Sequence, residues 1–339
     1  MKSHSVYFTG PRQVVVQQQE LPQPEAGQVL VKTILSAISP GTELLIYRGE
    51  FPAGLHLDKS IAALAGEFSY PLRYGYSAVG RVAQLGEGVD PAWLGRLVFA
   101  FQPHTSLFVS APEQLNPVPQ GISAELAAFL PNMETAVNFL LDGAPLIGEN
   151  VVVLGQGIVG LLTTALLARF PLASLATLDR YPLRRQASLQ AGAATCLDPG
   201  LPDVTGRLLS LNPGGVDLVY ELSASPPALD LAIAVAAFSG RVVVGSWYGQ
   251  KRAELNLGGH FHRNRIRLVS SQVSSIAPEL SGRWTVERRF SQAWKCLIEI
   301  DPRRWITHRF PLAGAADAYR LLDEDPAAAI QVLLTYEDL

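Results

Sequence analysis

Asn150-Val151-Val152-Val153-Leu154-Gly155-Gln156-Gly157-Ile158-Val159-Gly160 is the stretch that decides the fold class of this 339-residue chain. The run from Val151 to Leu154 reads as a buried parallel strand. The glycines after it stand at the G-x-G-x-x-G spacing, with an apolar helix pattern over 158–170 behind them. Each glycine has its own reason. Gly155 permits the tight turn, Gly157 lets backbone approach a pyrophosphate, and Gly160 lets the helix pack on the strand. The first helical residues, Ile158, Val159 and Gly160, then present amides that have no partner within the helix to an anion. The next strand pattern, 175–179, ends on Asp179, nineteen residues after Gly160. A carboxylate there accepts from both hydroxyls of an adenine ribose and repels a 2′-phosphate, so NAD is the expected cofactor. Arg180 and Arg184 lie just beyond it and leave NADP open, since arginine is how a 2′-phosphate is held.

Outward from this motif, strand and helix patterns alternate. A helix is predicted over 183–191, a strand at 195–197, a strand at 216–222, a helix over 226–237, and strands at 241–245 and 266–271. Such alternation implies right-handed crossovers and an α/β domain of the Rossmann type, a doubly wound parallel sheet. Upstream the chain is β-rich. Short β-branched or aromatic runs at 14–16, 29–34, 78–85, 97–101 and 107–109 are separated by Gly, Pro and Glu turns, and only 42–47 and 57–65 read as helical. At Ser123-Ala124-Glu125 a long apolar helix pattern begins and runs over 124–141. Past 275 come a helix (285–298), a strand (306–309), a helix (313–322) and a strand (331–335), with too little apolar content to stand alone. This tail is expected to return to the N-terminal β domain. The predicted organisation is 1–122 with 276–339 as one domain and 123–275 as the other.

Composition narrows the function. With 48% hydrophobic and 17% charged residues, the chain can fill substantial cores. A net charge of −3 offers no global field for nucleic acid. Two cysteines, Cys196 and Cys296, cannot make a disulfide framework or a four-thiolate zinc site. The apolar run 158–170 is too short to span a bilayer and contains Arg169, and Met1 to Gly10 has no apolar leader pattern. A cytoplasmic homodimer acting on a small-molecule substrate, without nucleic acid or membrane partner, is the expectation. Residues 251–309 hold twelve Lys/Arg against five Asp/Glu, a net of +7 that leaves −10 for the remainder. Such a local positive field suits an anionic substrate. Within it, Leu257-Gly258-Gly259-His260-Phe261-His262-Arg263 is too rich in glycine for a strand and is expected to form a loop.

A β-rich N-terminal domain, a fingerprint at Gly155 and a returning tail together resemble the medium-chain dehydrogenase/reductase superfamily, the zinc alcohol dehydrogenase-like fold. The resemblance covers essentially the whole chain. It includes Glu87-Gly88-Val89 before Gly95-Arg96-Leu97-Val98, and Ile306-Thr307-His308-Arg309-Phe310-Pro311-Leu312 before the last helix. It implies a GroES-like, partly open barrel as the substrate domain and an active site in the cleft between the domains. The zinc ligands of that family do not carry over. Pro40 stands at the cysteine position of Ser39-Pro40-Gly41-Thr42-Glu43. The family's Gly-His-Glu is Gly75-Tyr76-Ser77 here, and Leu130-Pro131-Asn132-Met133-Glu134 has no third ligand in register. No metal site is therefore expected. The stretches Ile38-Ser39-Pro40-Gly41-Thr42-Glu43 and Tyr74-Gly75-Tyr76-Ser77-Ala78-Val79-Gly80 are similar to the bacteriochlorophyllide dehydrogenases of photosynthetic bacteria.

Without zinc, hydride transfer to a carbonyl still needs a donor at the oxygen and a proton. Tyr76 and Thr42, at or beside the vacated ligand positions, and His104, from a nearby Pro-bounded loop, are the candidates. A tyrosine hydroxyl is a protonated donor at neutral pH, and a histidine on a loop could exchange the proton with solvent. Glu43 reads as a salt-bridge partner rather than a base. The expected function is an NAD(P)-dependent, zinc-independent oxidoreductase interconverting an alcohol and a carbonyl on a small, anionic or heterocyclic metabolite. Reduction of an activated C=C bond, as zinc-less quinone and enoyl reductases do, is the first alternative. A nucleotide-binding scaffold without catalysis is the second.

Overall fold

The structure is a computed structural model that describes residues 1–52, 54–57, 61–64 and 66–336. The chain divides into two compact units, Met1–Pro131 with everything from Asp301 onward, and Asn132–Ile300. Both divisions fall later than the changes of pattern at 123 and 276.

The first unit opens with β1 (Lys2–Gly10), β2 (Gln13–Glu20), β3 (Val29–Ala37) and α1 (Pro40–Arg48). It continues with β4 (Ala78–Leu85), β5 (Leu97–Ala100), β6 (Leu107–Ser110), β7 (Asn116–Pro117) and α2 (Ala124–Ala127). Next, α3 (Leu130–Gly143) carries the chain into the second unit. There follow β8 (Asn150–Leu154), α4 (Ile158–Leu167), β9 (Ser174–Leu178), α5 (Pro182–Gln190), β10 (Thr195–Leu197) and α6 (Val204–Leu211). After them come β11 (Val216–Glu221), α7 (Pro226–Val235), β12 (Ala236–Val244), β13 (Arg267–Ser270) and α8 (Val286–Ile300). The tail adds β14 (Ile306–Pro311), α9 (Ala315–Glu324) and β15 (Gln331–Thr335) to the first unit.

In the second unit all six strands run parallel in the order β10-β9-β8-β11-β12-β13. Val152 and Leu154 pack on Leu208 of α6 and on Leu229, Ala232 and Ile233 of α7. Val151 and Val153 face the other way, onto Phe139 of α3 and Leu167 of α4. This alternation buries both faces of β8, each valine worth about 1.5–3 kcal/mol, and makes the sheet doubly wound. Among the described residues no helix is long and apolar enough to cross a membrane.

The first unit is a partly open barrel centred on β3. One edge of β3 pairs with β4, while the other is shared between β6 at Val29 to Lys32 and β15 at Leu35 to Ala37. The tail thus returns to this sheet through β15. β1 and β2 form a separate hairpin.

Several predicted elements differ. β1 escapes the pattern because its inward positions include Ser3 and Ser5, fully buried and satisfied by the Thr105 hydroxyl at 2.9 and 2.8 Å. The single helix over 124–141 is two helices, Ala124–Ala127 and Leu130–Gly143, with Pro131 in the first turn of the second, where its missing N–H costs no helical bond. The helix over 226–237 ends at Val235, because β12 starts at Ala236 and bulges before Arg241. Residues 257–263, expected as a loop, hold a turn-rich segment, Leu257–Phe261, kinked at Gly259, whose backbone leaves the helical region. Of the helix expected over 57–65, a short turn stands at Ala62–Leu64; 58–60 and Ala65 lie outside the described residues.

Candidate functional site

Two clusters carry chemistry, one in each unit. The first is built where β3 hands over to α1. Pro40 is the first helical residue, a position where its missing N–H costs nothing. Ser39 takes the N-cap position without a side-chain cap bond, which leaves its hydroxyl free of the helix amides, and Glu43 reaches back so that its Oε1 accepts from the Ser39 amide at 2.7 Å. The proline at the former cysteine position is thus a helix-start residue.

Above this turn lie three half-buried hydroxyls. Tyr76 donates to Ser39 Oγ at 2.6 Å and approaches Thr42 Oγ1 at 3.4 Å. Beneath it lies a fully buried layer. Glu43 Oε2 accepts from His104 Nε2 at 2.9 Å and from the Tyr319 hydroxyl. His104 Nδ1 bonds Ser36 Oγ at 2.7 Å, and Ser36 in turn bonds the Tyr336 hydroxyl at 2.8 Å. Donation from Tyr336 through Ser36 and His104 to the carboxylate satisfies every member with a neutral imidazole. Burial, reinforced by the Glu43 carboxylate, pushes the Tyr319 pKa well above the ordinary tyrosine value, so it remains a donor. Gly75 lets the chain pass over this layer at φ 111°, where an added Cβ would stand 2.6 Å from His104 Nε2.

His104 therefore does not meet solvent. Both ring nitrogens are engaged and the side chain is fully buried, which corrects the expectation of a surface proton exchanger. Tyr76 and Thr42 do come together, with Ser39 as a third hydroxyl that sequence reasoning missed. Ser39 sits one residue before the vacated ligand position, and its N-cap place was the available signal. Ser77, at the former glutamate position, donates to the Ala128 carbonyl at 2.7 Å. Ligands of the kind zinc takes, in threes near 2 Å, are not assembled here: among the described residues no three His, Cys, Asp or Glu side chains cluster to hold a metal. The residues do not fit the family's zinc.

The second cluster lies at the carboxyl ends of β8 and β11, where the strand order reverses, the place at which open parallel sheets bind ligands. Gly155 turns at φ 94°, and an added Cβ would stand 2.8 Å from Leu222 and Ser223 backbone. On Gly160 a Cβ would fall 2.0 Å from the Gly155 carbonyl, whereas on Gly157 it would meet open space. No side chain caps α4, so the amides of Ile158, Val159 and Gly160 are available to an anion. Asp179 follows β9 and braces the loop. Its Oδ2 accepts from the Gln156 amide and its Oδ1 from the Tyr181 amide, each at 2.8 Å.

Arg184 stacks on the Tyr181 ring at 4.8 Å and the exposed Arg180 lies 5.8 Å from the same ring. Burial lowers the Arg184 pKa, opposed by Asp179. Arg185 instead donates to the Asp179 and Arg180 carbonyls and to Asp198. The residues present fit a dinucleotide. Sequence reasoning missed Glu221, buried at the end of β11 and bonded to Ser223 and Tyr248. Its signal was an acid closing an apolar strand beside the fingerprint. The basic segment 251–309 is not a single field. Arg289 is buried against Glu134 at 2.7 Å, while Arg303 pairs with Asp301 and Arg309 with Glu125.

Residues 159–293 match the zinc-binding dehydrogenase family. D-guloside 3-dehydrogenase of Escherichia coli strain K12 is 23% identical, over 97% of this chain and 98% of its own. A solved structure from Escherichia coli CFT073, named a short chain alcohol dehydrogenase and complexed with NADH, superposes with a TM-score of 0.79 at 21% identity, covering 99% of each chain. One from Sinorhizobium meliloti 1021, bound to NADP, does so with the same score, identity and coverage. The chain thus matches the zinc-binding dehydrogenase family over residues 159–293 and shares the fold of these solved structures over nearly its whole length.

Proposed function

We propose that this protein is an NAD(P)-dependent oxidoreductase that interconverts an alcohol and a carbonyl on a small metabolite without zinc. The observation that carries it is the glycine turn at Gly155, braced by Asp179 and opening onto an uncapped helix. The names and bound cofactors of the similar proteins support the same reading.

Bound there, the nicotinamide dinucleotide supplies or accepts the hydride. Gly157 and the first amides of α4 would hold the pyrophosphate, and Asp179 would accept from the adenine ribose. In the reducing direction Tyr76 turns its hydroxyl from Ser39 Oγ to the substrate oxygen and gives up its proton as the alkoxide develops. Ser39 and Thr42 then donate to the tyrosine oxygen. Glu43 and His104 hold the Ser39 turn from below. They are positioning residues.

Two expected results follow. Asp179→Ser weakens NADH by about tenfold or more, because a charged acceptor of two loop amides and of the ribose is lost. The same change relaxes discrimination against NADPH; a wild type that already prefers NADPH in fluorescence titration would assign the choice to Arg180 and Arg184. Elemental analysis of the purified protein finds no stoichiometric zinc, and chelator leaves turnover unchanged. One zinc per chain would end the zinc-independent reading.

A further inference from the structure

The loop after β11 holds a buried carboxylate that no step above uses. Glu221 is the last residue of β11 and is fully buried. Its Oε1 accepts from the Ser223 amide at 2.8 Å and the Ser223 hydroxyl at 2.5 Å, and its Oε2 from the Tyr248 hydroxyl at 2.9 Å. Tyr248 stands on the loop after β12, so one carboxylate joins the chain leaving two neighbouring strands. Ser246 adds to the joint, donating to the Glu221 carbonyl at 3.2 Å and accepting from the Ala224 amide at 2.9 Å. The Lys251 ammonium closes on the Ala224 carbonyl at 3.0 Å. Ala224 itself sits at φ 52°, a conformation a non-glycine residue keeps where its surroundings over-determine it.

This joint abuts the glycine turn. Glu221 pairs with Leu154 across the ladder, and Leu222 and Ser223 are the backbone that leaves no room for a Cβ on Gly155. A sheet of this order has two mononucleotide halves. The half built on β8, β9 and β10 carries Asp179, and the half that begins at β11 carries Glu221.

We infer that Glu221 is a positioning residue for the nicotinamide half of the dinucleotide, holding the loops after β11 and β12 as one wall against the glycine turn. The inference rests on the dinucleotide reading of this unit. Charge-assisted hydrogen bonds fix geometry more firmly than neutral ones, and a loop already ordered does not have to be ordered by its ligand. A residue that merely stabilised the fold would weaken both halves of the ligand alike.

Titration of wild type and variants with NADH and with 5′-AMP, which carries only the adenosine half, separates these roles. Glu221→Ala is expected to weaken NADH about tenfold or more and to leave 5′-AMP within about twofold. Glu221→Gln, whose amide oxygen still accepts from Ser223, restores most of the NADH affinity. Tyr248→Phe removes one donor, gives an intermediate loss, and decides the matter if Glu221→Ala does not fold. Wild-type NADH affinity in Tyr248→Phe and in whichever Glu221 variants fold overturns the inference, as does an equal loss for NADH and 5′-AMP. A wild type that binds neither NADH nor NADPH overturns the cofactor reading and this inference with it.

Discussion

Tyr76→Phe lowers the turnover number by about 10²–10³ and leaves NADH affinity unchanged, the loss that follows removal of one oxyanion donor. The substitution keeps the ring and deletes only the hydroxyl. Tyr76 packs against Tyr74 with ring centroids 6.3 Å apart, and that contact survives. Ser39 Oγ loses the donor now 2.6 Å away, but it is half-buried and water can replace it. Unfolding midpoints of the two proteins therefore agree, and the effect lies in the chemistry. Thr42→Val produces a smaller loss, because its 3.4 Å contact is the weaker of the two. Near wild-type turnover in both variants would make the cluster structural.

Glu43→Ala destabilises the protein by about 3–5 kcal/mol, because three buried donors lose their acceptor together and each unsatisfied group costs about 1–3 kcal/mol. The carboxylate is fully buried and serves three donors, the Ser39 amide, His104 Nε2 and the Tyr319 hydroxyl. Alanine leaves all three without an acceptor in a layer that water does not reach. Glu43→Gln retains an acceptor and costs less, about 1–3 kcal/mol. Urea unfolding followed by circular dichroism measures both, and a loss below about 1 kcal/mol for Glu43→Ala would reduce the network to surface-like value.

The second unit was the more legible part of the chain. Its central strands β8, β9 and β11 are buried on both faces, so each reads as a near-continuous apolar run, and the glycine spacing places the turn without help from tertiary contacts. The first unit hides its logic. Ser3 and Ser5 occupy inward positions because Thr105 answers them from the loop ahead of β6, about a hundred residues away, and no local pattern reports that. His104 looked like a surface residue because its loop is bounded by proline; the residues that bury it, Glu43, Ser36 and Tyr319, come from three separate elements. Tyr76 and Thr42 could be paired through the resemblance alone, by counting from Pro40. Ser39, their common neighbour, needed the helix start to be seen. Glu221 showed only as an acid closing an apolar strand; its role was hidden for a similar reason, since its partners Ser223 and Tyr248 lie on different loops.

The central claim is nicotinamide-dependent hydride transfer at a carbon bearing oxygen. Mass spectrometry of ketones, ketoses and conjugated alkenes after incubation with the protein and NADH deuterated at one face of the nicotinamide tests it most directly. The expected result is deuterium on the carbinol carbon of at least one carbonyl compound, from one face only, and strongly reduced with Tyr76→Phe. Deuterium confined to the alkene carbons, or transferred to nothing while NADH binds, would contradict it.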